Sequence, residues 1–598
     1  MSPRNISFYT QRALDFMTEF QRLNQKARTI SFFRIITFIG FLIFFVSAAN
    51  RGNLAMLILS IILFIIIFGL LVNKHNQVKY LSKQNGFMSQ INEEEILRIE
   101  GKLDSFESGE IFIGEDHPYH LDLDIFGRNS LFQLLNRTTT FWGREVLSSW
   151  LSEPPVHARV IERQHAIQEM AEDINWSQEL QATGKHYEDH GNIEVFIRWL
   201  EERPLILGNR LYHITRYVGP AIVVTLLILL IFSKISWAWL LSGLFLQGII
   251  LLLAMEKIKT IHESTSASIK SLQSFEALIA MAEKKEFRSN RLKEIASTFR
   301  LKGIPASRII GNLKRILQRL DNRSNLIYQL VNVFFLLDLH YAISAEKWKK
   351  SQPEHIKKWF QTLGEMEALN SLAGYHYANP EYTFPEISPE DFVLQAENMG
   401  HPLIPYSHRV NNDFSLNGEG TIALITGSNM GGKSTFLRTV GINVVLAMMG
   451  APVCAGKLIL SDFRVFTSMR TRDNLEENIS SFYAELKRIR QLFDHIDPNA
   501  PLLFLLDEIL KGTNSNDRHL GAVSLVNQLS GEKVTGLIST HDLELARNTL
   551  KASHVVNYSF ESSILGDEIN FDYKLRPGIC ETFNASKLME KMGIRLLK

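Results

Sequence analysis

Between residues 425 and 435 the chain reads Ile-Thr-Gly-Ser-Asn-Met-Gly-Gly-Lys-Ser-Thr, and no other stretch limits the fold so tightly. Gly427 is followed after four residues by Gly432-Lys433-Ser434. The apolar run Thr421 to Ile425 ahead of it reads as a buried parallel strand, and Thr435 to Leu446 behind it reads as a helix. A glycine-rich turn in that position is a phosphate-binding loop. Its glycines let successive N–H groups turn inward around phosphate oxygens, and the helix N-terminus adds a positive dipole end. Gly427, Asn429, Met430, Gly431, Gly432, Lys433, Ser434 and Thr435 form the candidate nucleotide-binding set. Lys433 reaches for the β- and γ-phosphates, and the Ser434 hydroxyl for a Mg²⁺ ion.

Such a loop needs a parallel sheet around it, and the chain is long enough for much more. Its 598 residues suggest several domains. The 64 basic and 63 acidic residues leave a net charge of +1, so nucleic-acid binding would have to use local patches. The two cysteines, Cys454 and Cys580, form no C-x-x-C pair, which fits a reducing compartment and predicts no zinc site.

The first third departs from a soluble enzyme. Ile35–Ala49 and Leu54–Val72 contain no charged residue, and only Asn50-Arg-Gly-Asn53 separates them. The second run has 19 residues, close to the roughly 20 that cross a hydrocarbon core, and the first reaches that length if Arg34 extends to the interface. Ser47-Ala-Ala49 also resembles a signal-cleavage site, but cleavage there would leave the second span. A second pair follows at Val218–Phe232 and Ile235–Met255, divided by Ser233-Lys234, with Trp237 and Trp239 at the position of an interfacial belt. Arg28, Lys74, Lys79, Arg210, Arg216, Lys257 and Lys259 flank the pairs on their long-loop sides, whereas each tight loop carries one basic residue. That bias places both termini and the soluble mass in the cytoplasm, with the chain multi-pass in the inner, cytoplasmic membrane.

Between and after the hairpins the pattern is helical. Glu145–Leu151 reads as an amphipathic helix, and Glu256–Phe299 and Ser307–Ser351 as long lever-like or packing helices. Pro380, Pro385 and Pro389 mark a linker, after which strands alternate with helices. The run Leu502–Leu506 ends in Asp507-Glu508, a Walker B pattern in which Asp507 serves the Mg²⁺ shell and Glu508 positions or activates the attacking water. A third strand, Val534–Ile538, leads to His541, at the edge where open parallel sheets bind ligands. Ser480 or Ser481 caps the helix that follows, or presents its hydroxyl to an anion.

Gly427-Ser-Asn-Met-Gly-Gly-Lys-Ser-Thr435, Ser480-Ser-Phe-Tyr-Ala-Glu485, Leu506-Asp-Glu-Ile-Leu-Lys-Gly-Thr513 and Ser539-Thr-His541 resemble the ATPase domain of the MutS family of DNA mismatch-repair proteins. Met366–Ala373, His401-Pro-Leu-Ile404 and Asn129–Leu151 are similar to that family's helical core and lever, and Tyr573–Gly578 and Ala585–Gly593 to its last strand and helix. The resemblance implies ATP and Mg²⁺ as cofactors, a homodimer through the ATPase domains, and DNA as partner. It implies that Ser480 of one subunit meets the γ-phosphate held by the other's Lys433, and that His541 senses hydrolysis. The chain departs from the family in having no Phe-x-Glu within residues 1–130, so the mismatch-reading domain is expected to be missing. Asn478 replaces a glycine of the trans-acting motif, and Leu510-Lys511 replaces Gly-Arg.

The expected architecture is therefore a multidomain membrane protein. It has two transmembrane α-hairpins, an all-α core and lever region, and a C-terminal α/β P-loop ATPase domain of ABC/MutS type. Its divisions are 1–29, 30–72, 73–216, 217–255, 256–380 and 381–598. The expected function is a membrane-anchored, ATP-dependent DNA-binding ATPase related to mismatch repair or damage sensing. The alternative is a membrane scaffold or remodelling ATPase acting on a protein or lipid.

Overall fold

A computed structural model of the chain describes residues 3–153, 157–187, 193–351, 353–428, 431–470, 481–548, 554–565 and 568–580. The first two apolar runs are parts of much longer helices, α1 (Pro3–Asn50) and α2 (Leu54–Ile99). The Asn53 side chain caps α2 by accepting from the Met56 N–H. The polar segment before residue 30 is thus continuous with the first apolar run. Beyond Val72, α2 runs on for about 40 Å as a polar stalk paired with α1.

The pairing has a seven-residue period. His75 Nδ1, the Ser82 hydroxyl and the Ser89 hydroxyl approach the carbonyls of Ala27, Phe20 and Ala13 at 3.2, 3.3 and 2.9 Å. Donors and acceptors each recur every seven residues, the repeat that keeps one seam facing a partner helix. Nearer the hairpin turn the seam becomes apolar, with the Phe41 and Phe64 rings stacked at 4.3 Å. Arg34 lies over the Phe68 ring at 5.4 Å.

The foot of the stalk docks on a helical core through buried polar groups. α3 (Leu131–Leu135), α4 (Phe141–Ser152), α5 (His157–Glu172), α6 (Ile174–Lys185) and α7 (Ile193–Glu201) begin that core. Arg12 donates to Gln178 at 2.8 Å, and the Asn92 and Gln178 amides pair at 3.0 and 3.3 Å. The buried Glu95 carboxylate accepts a forked pair from Arg137 at 2.6 and 2.7 Å and a third bond from Arg98 at 3.1 Å. Burial pushes the Arg98 guanidinium down to about 10 against the pull of Glu95.

The second hairpin is α8 (Arg210–Ile231) and α9 (Trp237–Ser266). The helix α8 takes Pro220 within it and begins eight residues before the apolar run. Among the described residues four helices (α1, α2, α8 and α9) are long and apolar enough to cross a membrane.

The two long helices expected over 256–299 and 307–351 are instead divided. α9 ends at Ser266 and is followed by α10 (Ile269–Lys284) and α11 (Asn290–Thr298). A two-stranded turn, β1 (Arg300–Leu301) and β2 (Ile304–Pro305), reverses the chain through the left-handed residues Lys302 and Gly303. α12 (Ala306–Asp321), α13 (Leu326–Phe335) and α14 (Leu337–Ser351) follow, with left-handed Leu336 between the last two. Helical periodicity persists across each break because every piece buries an apolar face, so the pattern hides the corners. Among the described residues the longest helix after α9 in this half is α15 (Pro353–Ala378), with Trp359, Phe360, Leu363 and Met366 buried.

The prolines expected to mark a linker frame β3 (Glu386–Ile387), which joins β4 (Val393–Met399), β5 (Asn412–Asn417) and, later in the chain, β7 (Lys457–Leu460) in a four-stranded sheet ordered β3-β7-β4-β5. The main sheet is built from β6 (Ile422–Gly427), β8 (Arg464–Ser468), β9 (Leu502–Asp507), β10 (Val534–Thr540), β11 (Val555–Leu565) and β12 (Glu568–Pro577), in the order β12-β11-β6-β10-β9-β8. All its pairings are parallel except β11 with β12. The central strands β6 and β10 are buried along their whole length, which is why they read as unbroken apolar runs.

Helix α16 (Lys433–Met448) lies between this sheet and the helical core. At Gly441 a side chain would meet Leu123 of the core and Leu505 of β9, each at 2.8 Å, so glycine is needed for the close approach. The remaining helices, α17 (Ser481–Asp494), α18 (Ser515–Leu529) and α19 (Leu543–Asn548), pack around the sheet's other side and edge.

Replacing Glu95 by Ala leaves two buried guanidinium groups without their shared carboxylate. It should cost about 3–5 kcal/mol, whereas Glu100→Ala, which breaks an exposed pair with Lys102, should cost about 0–1 kcal/mol. Thermal unfolding of the two detergent-purified variants checks the order.

Candidate functional site

Three neighbouring strands, β6, β10 and β9, end side by side, and each delivers part of the site at its C-terminal end. From β6 the chain passes through Gly427 and Ser428 to Gly431 and Gly432, then directly into α16 at Lys433. Gly432 has φ 96°, a left-handed value that any side chain would strain. Among the described residues no side chain caps α16. The first N–H groups of a helix have no partner within it, and among the described residues the buried Ser428 hydroxyl beside them has no hydrogen-bond partner either.

Lys433 is 2% exposed, and its ammonium donates to the Gly427 and Ser428 carbonyls, both at 2.9 Å. Burial pushes it down to about 8, against the pull of Glu508 and Asp507. It lies 3.4 Å from His541 Nε2, which is 2.7 Å from a Glu508 carboxylate oxygen. The bond from His541, helped by Lys511 at 2.9 Å, brings Glu508 down to about 2 despite burial. Since the folded-state value is depressed, this contact stabilises the fold above the ordinary carboxylate range, and the contribution fades as pH falls toward about 2. Asp507 accepts from the Ser539 hydroxyl.

The turn after β9 is held in an unusual conformation. Glu508 and Leu510 have φ values of 50° and 60°, left-handed and costly for side chains of this size. The Glu508 N–H donates to the Ser539 carbonyl at 3.1 Å, and the Glu485 carboxylate of α17 accepts from the Leu510 and Lys511 N–H groups. Burial raises Glu485, and those two N–H bonds oppose the rise. Glu485 therefore fixes where Glu508 stands.

The structure thus brings together Gly427, Gly431, Gly432, Lys433, Asp507, Glu508 and His541. Ser434 is half-buried in the first turn of α16, and Thr435 is exposed in it. Asn429, Met430 and Ser480 lie outside the described residues. Among the described residues no group of three or more His, Cys, Asp or Glu side chains could hold a metal by itself. A Mg²⁺ ion needs no such cage, because it takes one or two protein oxygens and completes its shell with water and phosphate. The unpartnered Ser428 hydroxyl, the uncapped helix and the buried lysine fit a phosphate group.

Sequence reasoning missed Glu485, Ser539 and Lys511 as supports. Each lies inside or beside a motif, but nothing in the local pattern shows which backbone groups they hold. It also missed Asp122, the link to the helical core. The buried Asp122 carboxylate accepts from the Thr467 hydroxyl at 2.7 Å and from the Met469 and Arg470 N–H groups at 3.0 Å each. Asp124 pairs with Arg470 and Arg438. Arg488 of α17 donates back to the His117 and Pro118 carbonyls at 3.2 and 2.6 Å.

Residues 119–497 match the family described as MutS domain III, and residues 423–593 that described as MutS domain V. The chain is 30% identical over 245 residues to the DNA mismatch repair protein MSH3 of Debaryomyces hansenii, covering 38% of this chain and 23% of that protein. It is 29% identical over 245 residues to the DNA mismatch repair protein MutS of Natronomonas pharaonis, 40% of this chain and 28% of that one. It is 29% identical over 234 residues to the endonuclease MutS2 of Lactococcus lactis subsp. cremoris, 39% of this chain and 29% of that one. The likeness thus spans under a third of each relative's length.

Glu485→Ala should release the Leu510 and Lys511 N–H groups. Losing roughly 1–3 kcal/mol of local stability should speed their hydrogen exchange roughly ten- to a hundredfold while the β6 amides stay protected. Exchange mass spectrometry of the peptide spanning 508–513 reads this directly.

Proposed function

The chain belongs to the MutS family, and from that premise we propose that it is a membrane-anchored, ATP-dependent DNA-binding ATPase working as a dimer. The observation that carries the ATPase reading is the convergence of Lys433, Asp507, Glu508 and His541 at three adjacent strand ends, beside an uncapped helix. Gly427–Thr435 serves as the phosphate-binding loop, with Asn429 and Met430 in its span.

Lys433 gives up its two carbonyl contacts for β- and γ-phosphate oxygens, and the helix N–H groups and the Ser428 hydroxyl take others. Ser434 and Asp507 hold Mg²⁺, which when bound neutralises charge on the phosphates. Glu508, held at the end of β9 by its contacts with His541 and Lys511, is suited to positioning or activating the attacking water. His541, fixed by Glu508 and close to Lys433, is placed to respond to loss of the terminal phosphate. Ser480 of a second subunit completes the site, so nucleotide would draw two chains together and hydrolysis would release them.

The four apolar helices, with basic residues on the long-loop side of each pair, support an inner-membrane location with the soluble part and both termini in the cytoplasm. DNA binding rests on family membership. The nearly balanced charge, 64 basic against 63 acidic residues, favours the second reading, a remodelling ATPase acting on a protein or lipid, and the DNA experiment separates the two.

Lys433→Ala should abolish binding of a fluorescent ATP analogue, while Glu508→Ala should keep binding and lower turnover at least about a hundredfold. Equal turnover in wild type and Glu508→Ala would refute the assigned roles. Because Lys433 titrates near 8 before binding and phosphate favours its charged form, ATP affinity should fall as pH rises, by roughly fivefold between pH 8 and 9. Calorimetric titration across that range checks the sign. With ATP present, affinity for linear, heteroduplex and branched DNA should decline steeply with salt, and no binding to any of them at low salt would move the cycle to a protein or lipid partner.

A further inference from the structure

Helix α13, Leu326–Phe335, was expected to be part of a long packing helix, yet it carries Leu326 and Leu330 at 72% and 62% exposure, with Val331 and Phe335 also open. A ten-residue helix with four large apolar side chains facing outward is unusual on a soluble surface. Its inward side is polar and satisfied. The Tyr328 hydroxyl donates to Asp338 at 2.9 Å, Arg323 pairs with Asp338 at 3.2 Å, and the Asn332 side chain accepts from the Asp338 N–H at 2.8 Å.

Two observations place it beside the second hairpin. Tyr328, Gln329 and Asn332 share a cavity of about 220 Å³ with Leu251, Leu252 and Met255 of α9, the last apolar turns before Glu256 and Lys257. At the other end of α13, the side chain of Leu336 lies 3.2 Å from where a Cβ on Gly219 would stand, in the first apolar turn of α8. The helix therefore sits at the level where both spans turn from charged to apolar. Val218 and Ile222 of α8 and Leu252 and Met255 of α9 are likewise exposed on the hairpin it packs against.

Resting on the membrane reading above, we propose that α13 is an interfacial helix. It lies in the headgroup–acyl boundary of the cytoplasmic leaflet beside the second hairpin, with Leu326, Leu330, Val331 and Phe335 in lipid. An apolar face a few ångströms into the boundary is the ordinary resting place of such a helix. Arg216, Lys257 and Lys259 at the same end of the hairpin supply positive charge toward anionic headgroups. Because α13 joins α12 to α14, both packed in the helical core, the core touches the bilayer directly as well as through its spans.

The test uses full-length protein in phosphatidylethanolamine–phosphatidylglycerol vesicles. A single environment-sensitive fluorophore is placed through Leu330→Cys, Leu326→Cys, Leu229→Cys in the apolar run of α8, or Lys347→Cys on the exposed side of α14. Native Cys454 and Cys580 are buried. Labels at 330 and 326 should lose about half their emission to lipids brominated near the glycerol end and less to lipids brominated deep in the chain. The label at 229 should respond to deep bromines, and the label at 347 only to aqueous iodide. If 229 is quenched by lipid while 330 and 326 are quenched by iodide alone, the interfacial helix is refuted and the spans stand. If 330 and 326 are shielded from both quenchers, protein covers the face and the proposal fails. If 229 is untouched by brominated lipid, the membrane reading falls and takes this proposal with it.

Discussion

The interface between the helical half and the main sheet is organised around one buried carboxylate, Asp122. Its three acceptor contacts gather the last residues of β8 and the chain just beyond them. A buried charge of this kind is costly once its partners leave, so pulling these groups away from Asp122 is penalised beyond the apolar contacts that the two halves share. Leu123, the next residue, fills the hollow that Gly441 leaves on α16. The same short segment therefore touches the helix that begins at Lys433 and the strand end that leads toward Ser480. Arg488 closes the loop from α17, whose Glu485 holds the turn bearing Glu508. A shift in the helical core reaches both sides of the candidate site through these few bonds.

The strand-end site has a matching economy. Lys433 occupies itself with two backbone carbonyls, and Glu508 with His541 and Lys511. Each contact is one that a phosphate or a water could replace at small cost, because a polar group of the same kind takes over. The left-handed backbone at Glu508 and Leu510 is costlier, and its support comes from outside the strand, from α17 and β10.

How much of this could be read in advance differs by kind of signal. The glycine-rich loop, the unbroken apolar strands and the paired uncharged runs are strong because each is a local demand: a tight turn, burial on both faces, or a long apolar helix. The breaks at Lys302-Gly303 and Leu336 were invisible because the pieces on either side keep a helical period, and a left-handed leucine carries no mark in its sequence. Glu485 and Asp122 are ordinary acidic residues on amphipathic segments. Their importance arises from backbone N–H groups 25 to 348 residues away, and no local pattern encodes a partner at that range. The inner contacts of α13 were equally silent, although its run of apolar residues was open to view.

The ladder joining α1 to α2 has a mechanical consequence. Its three polar rungs, at His75, Ser82 and Ser89, repeat every seven residues, so an intermediate register would leave the donors facing side chains instead of carbonyls. The next matching alignment lies a full heptad away, about 10 Å along the axis. The stalk is therefore keyed against sliding: a slip short of a heptad gives up all three bonds, about 1 kcal/mol each, whereas movement of the paired helices as one body leaves them intact. Any motion passed between the apolar hairpin and the helical core along this route is an angle, not a stroke.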